Sequence, residues 1–395
     1  MEHVFRSMQD RSLTSLCTIQ DVPTQIYFCH DCGHVQTLEV LSSSDFYNHD
    51  YKISLDTEAD DQLYGIVDGK PVYRCENQAQ SVLKLFNLKP GSTVLDYGCA
   101  KGLTSRHLQN LVPDISVKLY DISEMYVPYW ERFSERANWA VYEIPSSWQM
   151  KQDLVLSFFA AEHICDLNHY LSQMEMTLKP GGWLMFTVPN WQENPADMLV
   201  IDHVNHFTIS SLFTLMYRLR WTNISINTDS HKAALTITAQ KSTYGYQVES
   251  LVTCRAKSEE AQLAEITQDN LKLNYLKCLS VVDCWELNAE RIQQQEANLD
   301  SNQPIAIYGS GFYGAYVYSN LRHPERVTCF LDANPHQQTK TLFGKPIYAP
   351  EYIPAGIDHL FVGLNPQHAR EAIHRVSAFQ QHPMQIHFLE KVRAA

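Results

Sequence analysis

The chain has no surplus of positive charge. Its 31 Lys and Arg stand against 44 Asp and Glu, a formal net charge of −13. With no basic excess to set against phosphates, the composition argues against general nucleic-acid binding and leaves room only for a local RNA-binding patch. No apolar run reaches the roughly 18 residues of a membrane span. The first residues, MEHVFRSMQD, hold no apolar core of the secretory type. A cytoplasmic protein with no membrane partner is therefore expected. Glycine and proline are sparse, 15 and 17 among 395 residues, which excludes fibrous or low-complexity character. The 10 cysteines are scattered rather than arrayed as a framework, which suits reduced thiols.

What is present is an alternation of apolar strands and amphipathic helices. The helical stretch NQAQSVLKLFNL ends at Lys89-Pro90-Gly91, and the strand TVLDY and the helix GLTSRHLQNL follow. The strands VKLYD, DLVLSFF and WLMFTVP come next. Such a pattern predicts an α/β fold whose parallel sheet is covered on both faces. Four regions are expected: an irregular N-terminal lobe (1–75), a Rossmann-like domain (76–245), a helical connector (246–300) and a second, smaller Rossmann-like domain (301–395).

The first glycine-rich turn is VLDYGCAKG. In open α/β sheets ligands bind beyond the carboxyl ends of the strands. Asp96, Gly98, Ala100 and Gly102 fall there, and the small residues let a ligand approach the backbone. Asp121 ends the next strand, where an acid is placed to take two ribose hydroxyls. A second turn, IAIYGSGFYG, carries Gly309, Gly311 and Gly314, with Asp332 ending the following strand. That is a dinucleotide fingerprint in its proper strand–helix context. Its readings are NAD, a phosphate of another ligand at the helix N-terminus, or a purely structural turn.

Between the two turns lies MLVIDHVNHFT. Histidine titrates in the range useful to a general base, so His203 beside Asp202 is the candidate base, with His206 close behind. Tyr73 and Arg74 precede the first helix of the central domain and are placed to reach over a ligand. In the N-terminal lobe CHDCGH supplies Cys29 and Cys32, with Cys17 upstream. A tetrahedral zinc site needs four ligands. His30, His34 or Cys75 would have to complete it, and such a zinc would be structural.

The ordered set VLDYGCAKG, LYDIS, DLVLSFFAAEHI, LKPGGWLMFTVPN and HFTISSLFTLM resembles the class I S-adenosylmethionine-dependent methyltransferases. The resemblance covers about 170 residues, roughly two-fifths of the chain. It implies S-adenosyl-L-methionine as cofactor. Asp96 and Gly98 would border its methionine part, with Tyr97, Cys99, Ala100 and Gly102 in the same turn. Asp121 and Ile122 would meet the ribose, and Glu143 and Ile144 of YEIP the adenine. Phe158, Phe159, Ala160 and His163 would line the methyl side. Ala100 stands where the family often has glycine.

The whole layout resembles the three-domain sugar C-methyltransferases, which have an N-terminal zinc domain, a central methyltransferase domain and a C-terminal Rossmann-like domain. Their acceptor motif, an acid-His pair before an aromatic pair, resembles DHVNHF. The resemblance implies that His203 takes the proton beside a sugar ketone and that the enolate attacks the sulfonium methyl. Here the acid is Asp202 rather than Glu, and His206 replaces a tyrosine. The acceptor is expected to be a sugar or nucleotide-sugar of surface-glycan or deoxysugar biosynthesis. The C-terminal glycines would help to hold its phosphates. O-methylation of a glycan, an NAD-dependent reaction and a non-catalytic binding role are the alternatives.

Overall fold

The computed structural model describes residues 1–38, 61–67, 70–243, 268–300, 303–382 and 384–392. Contacts divide the chain into two compact units. The central unit holds Cys29–Asn194 and Val204–Lys272, and the terminal unit holds Met1–Phe28, Pro195–His203 and Leu273–Ala395. Residues 1–75 therefore fall in both units, and so does the segment around His203. Among the described residues no helix is long and apolar enough to cross a membrane.

The central unit is built on seven strands, labelled in chain order. They are β1 (Thr93–Tyr97), β2 (Ser116–Asp121), β3 (Trp139–Val141), β4 (Gln152–Phe158), β5 (Leu178–Pro189), β6 (Thr222–Asn227) and β7 (Ala234–Gln240). Their order across the sheet is β3-β2-β1-β4-β5-β7-β6. The first five are parallel, and β7 runs antiparallel to both β5 and β6. The sheet is thus mixed, where the sequence pattern predicted a parallel one.

Successive strand residues point to opposite faces, and both faces are covered. Val94, Leu154 and Met185 join one apolar cluster with Val82 and Leu108. Their neighbours Leu95, Val155, Leu184 and Phe186 join the other with Met174, Leu212 and Phe213. Helices α1 (Arg74–Leu85) and α2 (Leu103–Leu111) cover the first face, and α3 (Leu167–Thr177) and α4 (Ile209–Arg218) the second. Burying each such side chain contributes about 1.5–3 kcal/mol. Helix α4 starts at Thr208, whose hydroxyl and that of Ser211 cap each other's backbone in a capping box.

The connector read from sequence is one continuous helix over its described part, α5 (Gln268–Ala297), of which the residues from Leu273 on belong to the terminal unit; residues 246–267 lie outside the described ones. Six strands follow: β8 (Ile305–Tyr308), β9 (Val327–Leu331), β10 (Thr341–Leu342), β11 (Lys345–Tyr348), β12 (His359–Val362) and β13 (Gln385–Phe388). Their order is β10-β11-β9-β8-β12-β13, with only β10 antiparallel. Helix α6 (Phe312–Asn320) follows β8. The N-terminal residues belong to this unit through specific bonds. The Tyr275 hydroxyl donates to Glu2 at 2.8 Å, and Gln9 Nε2 donates to the Asn320 carbonyl at 2.9 Å.

Candidate active site

A cleft opens in the central unit at the carboxyl ends of β1, β2 and β4. Its floor is the turn after β1. Gly98, Ala100 and Gly102 all have left-handed backbone, with φ of 75°, 46° and 70°. The turn is held by Gly98 N–H and Cys99 N–H, both donating to the Tyr120 carbonyl, at 2.8 and 3.1 Å. At Gly102 a Cβ would stand 3.0 Å from Phe133 and 3.3 Å from Leu119, so this glycine serves the close approach of α2 to β2. Ala100 accepts the left-handed conformation without glycine's freedom, at a local cost of about 1–2 kcal/mol. Its amide donates to Asp121 at 2.9 Å, and the Trp130 indole donates to its carbonyl at 2.7 Å, so its surroundings hold it in place.

Two buried carboxylates face this turn. Asp96 accepts from the Ser105 hydroxyl at 2.7 Å. Burial, and then the charge of Asp121, push its pKa up to about 6. Asp121 accepts from Ala100 N–H and, at 3.0 Å, from Ser123 N–H. Burial pushes it up to about 6 as well, against the pull of those amides. Two desolvated carboxylates of like charge form a site suited to a cationic or hydroxyl-rich ligand. Tyr97 packs on Tyr120 and Tyr170 beside them, at 4.6 and 5.2 Å between ring centres.

Of the positions picked from sequence, Asp96, Tyr97, Gly98, Cys99, Ala100, Asp121, Ile122, Phe158, Phe159, Ala160 and His163 line this single cleft. Gly102 lies under it. Glu143 and Ile144 are not among its lining residues, and neither is Tyr73, which is 41% exposed at the N-cap of α1. Sequence reading missed the lining residues Gln78, Lys101 and Thr104. The Thr104 hydroxyl donates to Gln78 Oε1 at 2.6 Å, a pairing between α1 and α2 that no motif marks.

The segment DHVNHF is divided after His203. In the terminal unit the carboxylate on His203 is Asp197, at 2.7 Å from Nδ1, not the adjacent Asp202. Asp202 instead accepts from the backbone amide and the hydroxyl of Ser15, both at 2.7 Å. Chain neighbours point apart, whereas the 3₁₀ turn Pro195–Leu199 brings Asp197 round to the imidazole. A carboxylate on Nδ1 fixes the tautomer and leaves Nε2 as a proton acceptor. In the central unit His206 is fully buried, and its Nε2 lies 2.7 Å from the Thr37 hydroxyl.

Of the N-terminal cysteines, Cys29 and Cys32 come together in the central unit. Cys29 and Cys32 share a tight turn closed by Gly33 N–H on the Cys29 carbonyl at 2.8 Å. Within their unit no third His, Cys or carboxylate donor among the described residues gathers with them. His34 is taken by Asn205 Oδ1 at 3.2 Å. Burial pushes the Cys32 thiol up to about 11 and the Cys75 thiol up to about 12. Cys17, in the terminal unit, is raised to about 11 by burial and by Asp202. Among the described residues of this unit, Cys29 and Cys32 supply two of the four donors a tetrahedral zinc takes.

The C-terminal glycine turn is close-packed. A Cβ on Gly309 would meet the Gly363 carbonyl at 2.2 Å, and one on Gly314 the Gly309 carbonyl at 2.0 Å. Only Gly311 faces open space. Asp332 is taken up locally. One oxygen accepts from the Ser310 amide and hydroxyl at 2.9 and 2.6 Å, the other from Asn334 N–H at 2.8 Å.

Residues 73–226 match the family model of a methyltransferase domain. No curated protein matches the chain. Among solved structures it is similar to Haemonchus contortus phosphoethanolamine N-methyltransferase 2 in complex with S-adenosyl-L-methionine. The identity is 15% over 42% of this chain and 52% of that one, with a TM-score of 0.34. It is also similar to human N-acetylserotonin methyltransferase, with 19% identity over 42% of this chain and 52% of that one and a TM-score of 0.35. For a SAM-dependent methyltransferase from Aquifex aeolicus the values are 20%, 41%, 88% and 0.33. The chain thus spans about half the length of the first two. Residues 73–226, about two-fifths of the chain, are thus similar to a methyltransferase domain.

Proposed function

We propose that the chain transfers a methyl group from S-adenosylmethionine to a sugar or nucleotide-sugar. The observation that carries the donor assignment is the pair of buried, raised carboxylates, Asp96 and Asp121, flanking a turn of small residues. Asp96 would take the ammonium of the donor's methionine part and Asp121 its ribose hydroxyls. The left-handed turn lets the ligand lie against bare backbone. The bound donor supplies an electrophilic methyl on a sulfonium.

On the acceptor side His203 is the candidate base. With Asp197 on Nδ1, its Nε2 would take the proton from the carbon beside a ketone. The electron pair left on that carbon forms the bond to the methyl carbon, the carbon–sulfur bond breaks, and the sulfur keeps its electrons as a neutral thioether. Asp197 stabilises the imidazolium that results. The same base would serve an alcohol acceptor, whose oxygen would then carry the methyl. The C-terminal glycine turn enters this reading as a packed scaffold, because Gly309, Gly314 and Gly363 meet one another and Asp332 is occupied.

The test is mass spectrometry of a nucleotide-sugar panel, keto forms included, incubated with the protein and methyl-labelled S-adenosylmethionine. A product heavier by one labelled methyl is expected. Calorimetry showing no affinity for S-adenosylmethionine would overturn the donor assignment, and binding without any product would overturn the sugar.

A further inference from the structure

Three elements of the central unit meet beside Phe159, and the steps above use none of their polar groups. The first is the hairpin between β6 and β7. Because β7 runs antiparallel to β5, with Ala234 opposite Pro189, the residues just before β7 lie at the carboxyl edge of the parallel strands. That edge holds the cleft. The hairpin is fixed there. The Ser81 hydroxyl on α1 donates to the Ser230 carbonyl at 2.9 Å, and Asn190 N–H donates to the Ala233 carbonyl at 2.9 Å.

This hairpin carries His231, only 8% exposed. Its Nδ1 faces the Lys232 carbonyl at 3.4 Å and so bears the ring proton. Its Nε2 is a bare lone pair, buried and without a hydrogen-bond partner. Such an atom carries a desolvation cost that a bound donor would recover. The ring stands edge-on to Phe159 at 4.9 Å and to Tyr64 at 4.7 Å. Burial, with the charge of Arg74, lowers its pKa to about 4, so the imidazole is neutral at physiological pH.

The second element is the start of α1. Arg74 lines the cleft, its guanidinium 4.0 Å from the centre of the Phe159 ring. It donates to Gln62 Oε1 at 3.2 Å, and no carboxylate among the described residues pairs with it. The third element is Phe159 itself, held at a φ of 54° where β4 ends. Off-region backbone of this kind is kept where the surroundings demand it, often at ligand sites. An uncommitted guanidinium suits an oxyanion, and its planar fork matches phosphate. A neutral imidazole lone pair repels an anion and takes a hydroxyl.

We propose that Arg74 and His231 form the acceptor-binding subsite, Arg74 holding a phosphate and His231 Nε2 accepting a hydrogen bond from a hydroxyl of the same molecule. This rests on the methyl-transfer reading and deepens it. His231 is a positioning and specificity residue, distinct from the base.

The test is calorimetry on protein loaded with S-adenosylhomocysteine, using UDP-glucose, glucose 1-phosphate and inorganic phosphate as probes. Arg74→Gln is expected to weaken all three by about tenfold or more. His231→Phe is expected to weaken the two sugar probes by about tenfold and leave inorganic phosphate unchanged. His231→Gln, which keeps an acceptor at the end of the side chain, is expected to restore most of the sugar affinity. An unliganded thermal midpoint close to that of wild type shows that each variant is folded. Wild-type protein that binds S-adenosylhomocysteine but none of the probes overturns the subsite. So does a variant at either position that binds as wild type, or a Gln variant no better than Phe. Wild-type protein that fails to bind S-adenosylhomocysteine overturns the underlying methyl-transfer reading instead.

Discussion

Asp121 is the residue on which donor affinity is expected to turn. Its carboxylate orders the turn through Ala100 and Ser123 and faces the cleft from the end of β2. Removing a charged acceptor for a ribose should weaken S-adenosylmethionine binding by about 1–3 kcal/mol in Asp121→Ala. Calorimetry checks this, and an unchanged affinity would remove Asp121 from the ribose. His203 is the corresponding residue for the acceptor. General-base help is typically worth about 10²–10⁴ in rate, so His203→Ala should lose turnover by that factor and keep donor affinity. Asp197→Asn should lose turnover too, because an amide can present its oxygen to Nδ1–H but cannot stabilise the imidazolium. Asp202→Asn should leave turnover nearly intact, since that side chain is committed to Ser15. The sequence marked His203 as a base but not its partner. Adjacency on the chain suggested Asp202, and only the 3₁₀ turn at Pro195–Leu199 brings Asp197 to the ring. His231 had no sequence signal at all. Its interest comes from an antiparallel hairpin that no motif announces.

At the scale of elements, the readable strands are those buried on both faces. TVLDY, VKLYD, DLVLSFF and WLMFTVP stand out as apolar runs because neighbouring residues enter opposite clusters. Neither edge strand was read, and neither was Ala234–Gln240, although it is buried on both faces. Trp139–Val141 is too short for a pattern, and Thr222–Asn227 mixes polar residues because one of its faces is exposed. For the zinc expectation the Cys-x2-Cys spacing was legible, whereas spacing alone does not say which further donors come near it. The C-terminal glycine turn gives a test at this scale. A methyl at Gly314 would meet the Gly309 carbonyl at 2.0 Å, against backbone that cannot yield. Gly314→Ala is expected to destabilise the terminal unit by about 1–3 kcal/mol, whereas Gly311→Ala, with open space around it, should be close to neutral. Thermal melts of the two variants decide it.

For the whole molecule, stability without ligand should carry opposing titrations. Asp96 and Asp121 have pKa values raised from 3.8 to about 6. The unfolded chain binds fewer protons than the native one in that window. Their contribution is complete below pH 3.8 and is lost as pH rises through 6. His34, His231 and His387 go the other way, lowered from 6.5 to about 4, so their contribution is lost as pH falls from 6.5 toward 4. Asp96→Asn isolates the first set. It should raise the unliganded stability near pH 7.5 by on the order of 1–3 kcal/mol, and do little at pH 4, as thermal melts at the two pH values would show. Donor affinity in the same variant should fall. In wild type it should weaken as pH drops below about 6, when both carboxylates take up protons.

The reversed direction of β7 separates two kinds of change that selection or engineering can make. The proposed donor cradle is written into the turns after β1 and β2, while the hairpin between Asn227 and Ala234 reaches the same edge from more than a hundred residues later in the chain. Its loop ends in two antiparallel strands, so its length and side chains can be exchanged without shifting the parallel strands that carry Asp96 and Asp121. If the hairpin selects the acceptor as proposed, a chimera grafting only this hairpin from a relative is expected to change the acceptor and keep the donor.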